Sequence, residues 1–315
     1  MDVGAMKQPI VWPDGKDFAF TVFDDTDRAT LENVGEVYSF LNELGVRTTK
    51  SVWPLTVREA PSDVGSTCED PRYLAWLSQL QDSGFEIGYH MARCRSSVRE
   101  ETIRGLERFT EIFGHYPKVM AHHVGCQENL HWGTDRVSGY HRMFYNLLTR
   151  NRRNGKYQGH VEKSEYYWGD ISREKIKYVR NFVFPEINTL RICPMMPYHD
   201  PDRPYVNYWF ASSGGSTVSD FTNCISEENQ DRLEAQGGAC IMYAHFAFGF
   251  YQDGKLNDRF MFLMERLRKK NGWFVPVSVL LDYLLGMKGH NVITDEERRR
   301  LERVWLSRKI WIGTR

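Results

Sequence analysis

Four apolar runs, far apart in the chain, each end in an acid or a histidine, and this constrains the fold more than any other feature. Phe18-Ala19-Phe20-Thr21-Val22-Phe23 delivers Asp24-Asp25, Phe85-Glu86-Ile87-Gly88-Tyr89 delivers His90, residues 119–121 deliver His122-His123, and residues 239–244 deliver His245. Runs rich in aromatic and β-branched residues, preceded by a turn-forming pair such as Asp14-Gly15, read as buried strands. Amphipathic patterns lie between them. Leu31, Val34, Val37, Tyr38, Leu41 and Leu44 recur at helical spacing until Gly45. Asp70-Pro71 opens a second helix that runs through Leu74, Leu77 and Leu80 to Gly84, and Ser97 with Glu100 forms a capping box for a third reaching Phe113. Strands alternating with helices predict an α/β fold with a mainly parallel sheet. In such folds the strand C-termini share one face, so residues distant in sequence converge there.

The remaining pattern is less even. Residues 46–53 read as a second strand and 135–150 as a helix, whereas periodicity weakens between 155 and 222, a stretch expected to hold short strands, functional loops or both. Helices are predicted over 227–236, 257–270 and 278–285, with a strand at 273–276. The tail carries a capping box at Thr294 and Glu297, a helix to Trp305 and a strand at 309–312. No repeat or interdomain linker is evident, and the 315 residues read as one domain.

The 41 basic and 41 acidic residues cancel, so no global field favours nucleic acid or an anionic membrane. No apolar run is long enough to span a bilayer, and residues 1–7 lack the order of a secretory signal. The six cysteines are scattered without a CxxC pair, which fits reduced thiols and a cytoplasmic location. Nothing in the sequence reads out an oligomeric state.

Two adjacent acids at the end of a buried strand are costly to desolvate unless a cation or shared proton compensates. One carboxylate with two or more imidazoles makes a site for zinc or another divalent ion with a position open for water. The adjacent acid can then deprotonate that water while another histidine protonates a leaving group, which describes metal-assisted hydrolysis.

These residues resemble a known family. Phe20-Thr21-Val22-Phe23-Asp24-Asp25 resembles the first signature of the polysaccharide deacetylases, the NodB-homology group, and Phe85-Glu86-Ile87-Gly88-Tyr89-His90 their second. Cys240-Ile241-Met242-Tyr243-Ala244-His245 and the segment from Phe274 to Leu280 are similar to their late strand and terminal segment. The resemblance covers residues 15–285, leaving a C-terminal extension of a helix and a strand over 286–315. It implies a distorted single-domain (β/α) barrel with mainly parallel strands and hydrolysis of an N-acetyl or related amide on a sugar. Carried across, Asp24 would be the general base and Asp25 a metal ligand, with His90 the second ligand and His245 the general acid.

Thr26 stands where that family has glycine, and Cys94 stands where its third ligand, a histidine, is usual. A thiolate suits zinc, so the third ligand is expected at Cys94, with His122 or His123 as substitutes. Ala121-His122-His123-Val124-Gly125 takes the approximate place of an Arg-Pro-Pro-x-Gly segment. Substrate contacts are expected at His122, Trp168 and Asp170, since aromatic faces stack on sugar C–H surfaces and Asp accepts from hydroxyls. The expectation is a zinc-dependent deacetylase of an N-acetylated sugar or sugar-containing precursor. A metal-free carbohydrate-binding relative and an amidase for a small non-sugar substrate are the competing readings.

Overall fold

The computed structural model describes residues 10–57 and 64–312, with side chains to residue 309. Its centre is a closed barrel of seven strands: β1 (Phe18–Asp24), β2 (Thr49–Val52), β3 (Glu86–Tyr89), β4 (Val119–Met120), β5 (Tyr178–Phe184), β6 (Tyr208–Gly215) and β7 (Ala239–Ala244). Each pairs in parallel with the next. The barrel closes because β7 lies against β1 from Ala19–Ala239 to Asp24–Ala244. Parallel strands packed inside a barrel and beneath helices are covered on both faces, which is why β1 and β7 read as nearly continuous apolar runs. Fully burying a side chain such as Phe18, Phe20 or Phe23 contributes about 1.5–3 kcal/mol. A contiguous apolar core runs from Trp12 to Leu306.

The flanking helices begin where local chemistry satisfies their free amides. Asp70 accepts from the amides of Arg72 and Tyr73 to open the helix Pro71–Asp82. At the helix Arg99–Phe113 the capping contact is Glu101 accepting from the Val98 amide at 3.2 Å, one residue later than the predicted Ser97–Glu100 box. Gly114, with φ 79°, ends it.

Three predicted elements are corrected. Residues 155–222 hold a short strand as expected, Tyr198–His199, but also two full barrel strands, β5 and β6, with the short helix Thr189–Ile192 between them. Their signal is masked because polar Arg180, Asn181, Ser212 and Ser213 interrupt the apolar pattern, and the β5–β6 register shifts between Arg180 and Val183. The helix expected over 135–150 is a 3-10 turn, Gly133–Arg136, and a helix, Gly139–Leu148, parted by extended backbone at Val137 and Ser138. Residues 309–312 are not a strand but continue the last helix, Asp295–Ile312. That helix is fastened by buried ion pairs, Arg298–Asp200 at 2.7 Å and Glu302–Arg203 at 3.3 Å. A further strand, β8 (Gly272–Phe274), extends the sheet beside the first residues of β1. No described helix is long and apolar enough to cross a membrane, and all six cysteines are unpaired.

Candidate active site

Successive side chains on a strand point to opposite faces, so β1 presents its terminal carboxylates to different surroundings. Asp24 is fully buried. Its Oδ2 lies 3.0 Å from Lys50 Nζ and accepts the Tyr38 hydroxyl at 3.0 Å, while Oδ1 accepts the Phe246 amide at 2.8 Å. Parallel register sets Lys50 beside it. Burial works against the charge on Lys50, but Asp24 and Tyr73 outweigh it and hold its pKa above the ordinary value. Burial, then Asp24, pushes the Tyr38 hydroxyl well above the usual phenol range.

Asp25 takes the other direction. Arg180 of β5 grips it through both oxygens, Nη1 to Oδ1 at 2.9 Å and Nη2 to Oδ2 at 2.5 Å. The guanidinium lies 4.4 Å from the centre of the Tyr243 ring and 5.3 Å from that of Phe23. Groups from β1, β5 and β7 therefore meet here.

The chain then makes a tight turn. The Ala29 amide donates to the Thr26 carbonyl at 3.0 Å, and Arg28 adopts φ 57°, a left-handed conformation uncommon for a non-glycine residue. This turn holds Asp27 over the mouth of the barrel. Its Oδ1 is 3.1 Å from His123 Nδ1, and its Oδ2 is 3.1 Å from His90 Nε2 and 3.3 Å from His245 Nε2. Burial opposes the charge on Asp27, yet the bonds to His123, His245 and His90 hold its carboxyl well below the usual range.

The three imidazoles follow β3, β4 and β7. His90 is buried beside Trp53, with ring centroids 6.0 Å apart, and the Trp53 ring meets His123 edge-on at 5.2 Å. Met91, next to His90, is left-handed with φ 69°. His245 Nδ1 lies 3.0 Å from the Ser216 carbonyl; donation there leaves Nε2 directed at Asp27. Burial lowers the pKa of His245, but Asp27 and then Asp25 more than offset it, so the net direction is upward.

Asp27, His90 and His123 bring one donor atom each within 4.8 Å of one another, as do Asp25, Asp27 and His245. His90 Nδ1 is buried without a hydrogen-bond partner among the described residues. One carboxylate with two imidazoles suits a first-row divalent ion that keeps open positions, so these residues fit such an ion.

Other residues singled out from the sequence stand outside both donor groups. Cys94 is one of them, and burial pushes its thiol upward. His122 Nε2 accepts the Leu130 amide at 3.1 Å, and burial, then Arg136 and Arg180, pushes its pKa well down, so it braces the loop as a neutral ring. Trp168 has no exposed surface and donates to the Glu128 carbonyl at 2.6 Å, leaving no face on which a sugar could stack. Asp170 is held by Arg99 through two bonds of 2.7 Å. A cavity of about 360 Å³ beside Asp135, Tyr157, His160 and Lys163 also lies outside the imidazole cluster. Sequence reasoning passed over Asp27 and Arg180. The usable signals were a third acid two residues after Asp25 and a single cation inside the apolar run of β5.

No family model matches the sequence, and no curated protein matches it. Solved structures do. A Mycobacterium smegmatis protein assigned to the polysaccharide deacetylases covers 91% of this chain and 96% of its own, with a TM-score of 0.52 and 14% identity. Puue allantoinase covers 89% of this chain and 94% of its own, with a TM-score of 0.51 and 11% identity. Likeness at such identities speaks for the fold, and the fold of this chain resembles that of the polysaccharide deacetylases, as its β1 and β3 motifs do.

Proposed function

We propose that the chain is a metal-dependent hydrolase of a carbon–nitrogen amide bond, releasing an amine from an N-acylated substrate. The observation that carries this reading is the Asp27 carboxylate 3.1–3.3 Å from three imidazoles, beside the Asp25–Arg180 pair. Asp27, His90 and His123 would hold the ion, which when bound supplies Lewis acidity to the amide carbonyl and acidity to a water. Asp25 would accept that water's proton at a carboxylate oxygen. Arg180 fixes the plane of Asp25 by gripping both oxygens. His245, anchored through Nδ1 on Ser216, would deliver a proton from Nε2 to the departing amine. Both acid roles thus move along the chain, the base from Asp24 to Asp25 and the metal ligand from Asp25 to Asp27. Lys50, Tyr38 and the Phe246 amide already occupy Asp24.

An N-acetylated sugar remains the substrate class that the β1 and β3 motifs favour. A small non-sugar amide gains support from the closed aromatic faces: Trp53 is 1% exposed and Trp168 not at all. The unpaired cysteines fit a reducing, cytoplasmic setting for either substrate. Metal analysis combined with an amine-release screen over acetylated sugars and small amides tests the proposal. The expected result is one equivalent of divalent ion and turnover of one substrate class, both lost in Asp27→Ala. Failure of the purified protein to bind added zinc, cobalt or manganese would overturn it.

A further inference from the structure

The helix Gly139–Leu148 is apolar on the wrong side. Its inward face sets Tyr145 against Trp305, ring centroids 5.7 Å apart, and joins His141 to Glu302 at 3.0 Å. Its outward face carries Tyr140, Met143, Phe144, Leu147 and Leu148, which are 61%, 73%, 41%, 75% and 38% exposed. These positions follow the i, i+3, i+4, i+7, i+8 spacing of a single stripe. Five large apolar side chains thus share one exposed surface, and contiguous apolar surface of this kind, rimmed by polar residues, marks an interaction site.

The charge beside the stripe identifies the partner. Between residues 139 and 161 the chain has Arg142, Arg150, Arg152, Arg153 and Lys156 and no acid, although acids and bases balance over the whole chain. Arg150 and Asn151, with φ 51° and 58°, turn the backbone at the end of the helix, so exposed Arg150, Arg152 and Lys156 follow the stripe directly. We propose that this helix and its basic turn dock the protein onto an anionic lipid surface, with the stripe in the acyl boundary and the cations among the headgroups.

The chemistry separates this partner from others. Arg142 already meets Asp135 at 3.5 Å, but a two-fold contact with a second copy would gather Arg150, Arg152 and Lys156 of both copies in one interface with no acid between residues 139 and 161 to offset them. Nucleic acid would satisfy the arginines but leave Met143, Leu147 and Leu148 without a role. An anionic membrane uses both parts, as in amphipathic helices that lie in the interfacial plane. It also agrees with the absence of a spanning helix among the described residues. The inference is independent of the catalytic reading.

Co-sedimentation of the full chain with phosphatidylcholine vesicles, with and without phosphatidylglycerol, tests it. Binding should require phosphatidylglycerol and weaken as salt rises. Replacing Met143→Glu and Leu147→Glu together should reduce binding roughly tenfold or more. Arg150→Ala and Arg152→Ala should each reduce it about fivefold. All four side chains are exposed, so an unchanged melting temperature verifies folding. Equal binding to both vesicle types, or binding that survives the glutamate pair, overturns the proposal. So does a dimer that Leu147→Glu dissociates in the absence of vesicle binding, or retention on duplex DNA that Arg150→Ala abolishes without vesicle binding.

Discussion

Asp24 and Asp25 are neighbours in sequence with opposite surroundings. Asp24 meets a lysine, a tyrosine hydroxyl and an amide where no solvent reaches, so both oxygens are engaged. Asp25 meets one arginine through a two-pronged contact, at the edge of a cluster of imidazoles. Lysine is a compact charge that compensates a buried acid, whereas the planar arginine also fixes its orientation. The difference teaches that an acid pair need not act as a unit: one member is tied into the barrel wall while the other borders the imidazole cluster.

Substitution can break that comparison. Asp25→Asn should lower turnover by about 10² to 10⁴-fold, the usual worth of a positioned base, while the bound ion is retained; steady-state assays with metal analysis check this. Full activity in that variant would remove Asp25 from the mechanism. Asp24→Asn should instead act on the fold, costing about 3–5 kcal/mol in urea unfolding because Lys50 is left buried without its counter-charge. Adding Lys50→Met should recover much of the loss, and the folded double variant should still turn over. If Asp24→Asn abolished turnover at unchanged stability, the two roles would have to be exchanged. Cys94→Ala should have the smallest effect, changing ion affinity by no more than about twofold, since the thiol lies outside the donor groups. A tenfold drop in a competition titration would return sulfur to the ligand set.

Much of the barrel was legible because buried parallel strands leave long apolar runs, and strand ends locate a mouth. The runs before Asp24, His90 and His245 all became barrel strands. β5 and β6 were hidden because Arg180, Asn181, Ser212 and Ser213 break their pattern, and for Arg180 and Ser213 the reason is visible only in three dimensions. Arg180 reaches Asp25, and Ser213 accepts or donates to Thr189 at 2.8 Å. The site was legible as a place and less so as a set of roles. Sequence shows that acids follow β1, but not which acid the turn at Arg28 carries over the mouth. Nor does it show that Trp168 packs beneath a loop, since a buried indole and a sugar platform are written with the same letter.

The closure of β1 against β7 joins residues more than two hundred positions apart. Such a long-range pairing carries a greater loop-closure cost than the contacts of local helices and neighbouring strands. During synthesis, Asp25 and Asp27 leave the ribosome long before His245. The earliest strand must wait for the last one, so assembly of the full imidazole cluster is tied to completion of the barrel.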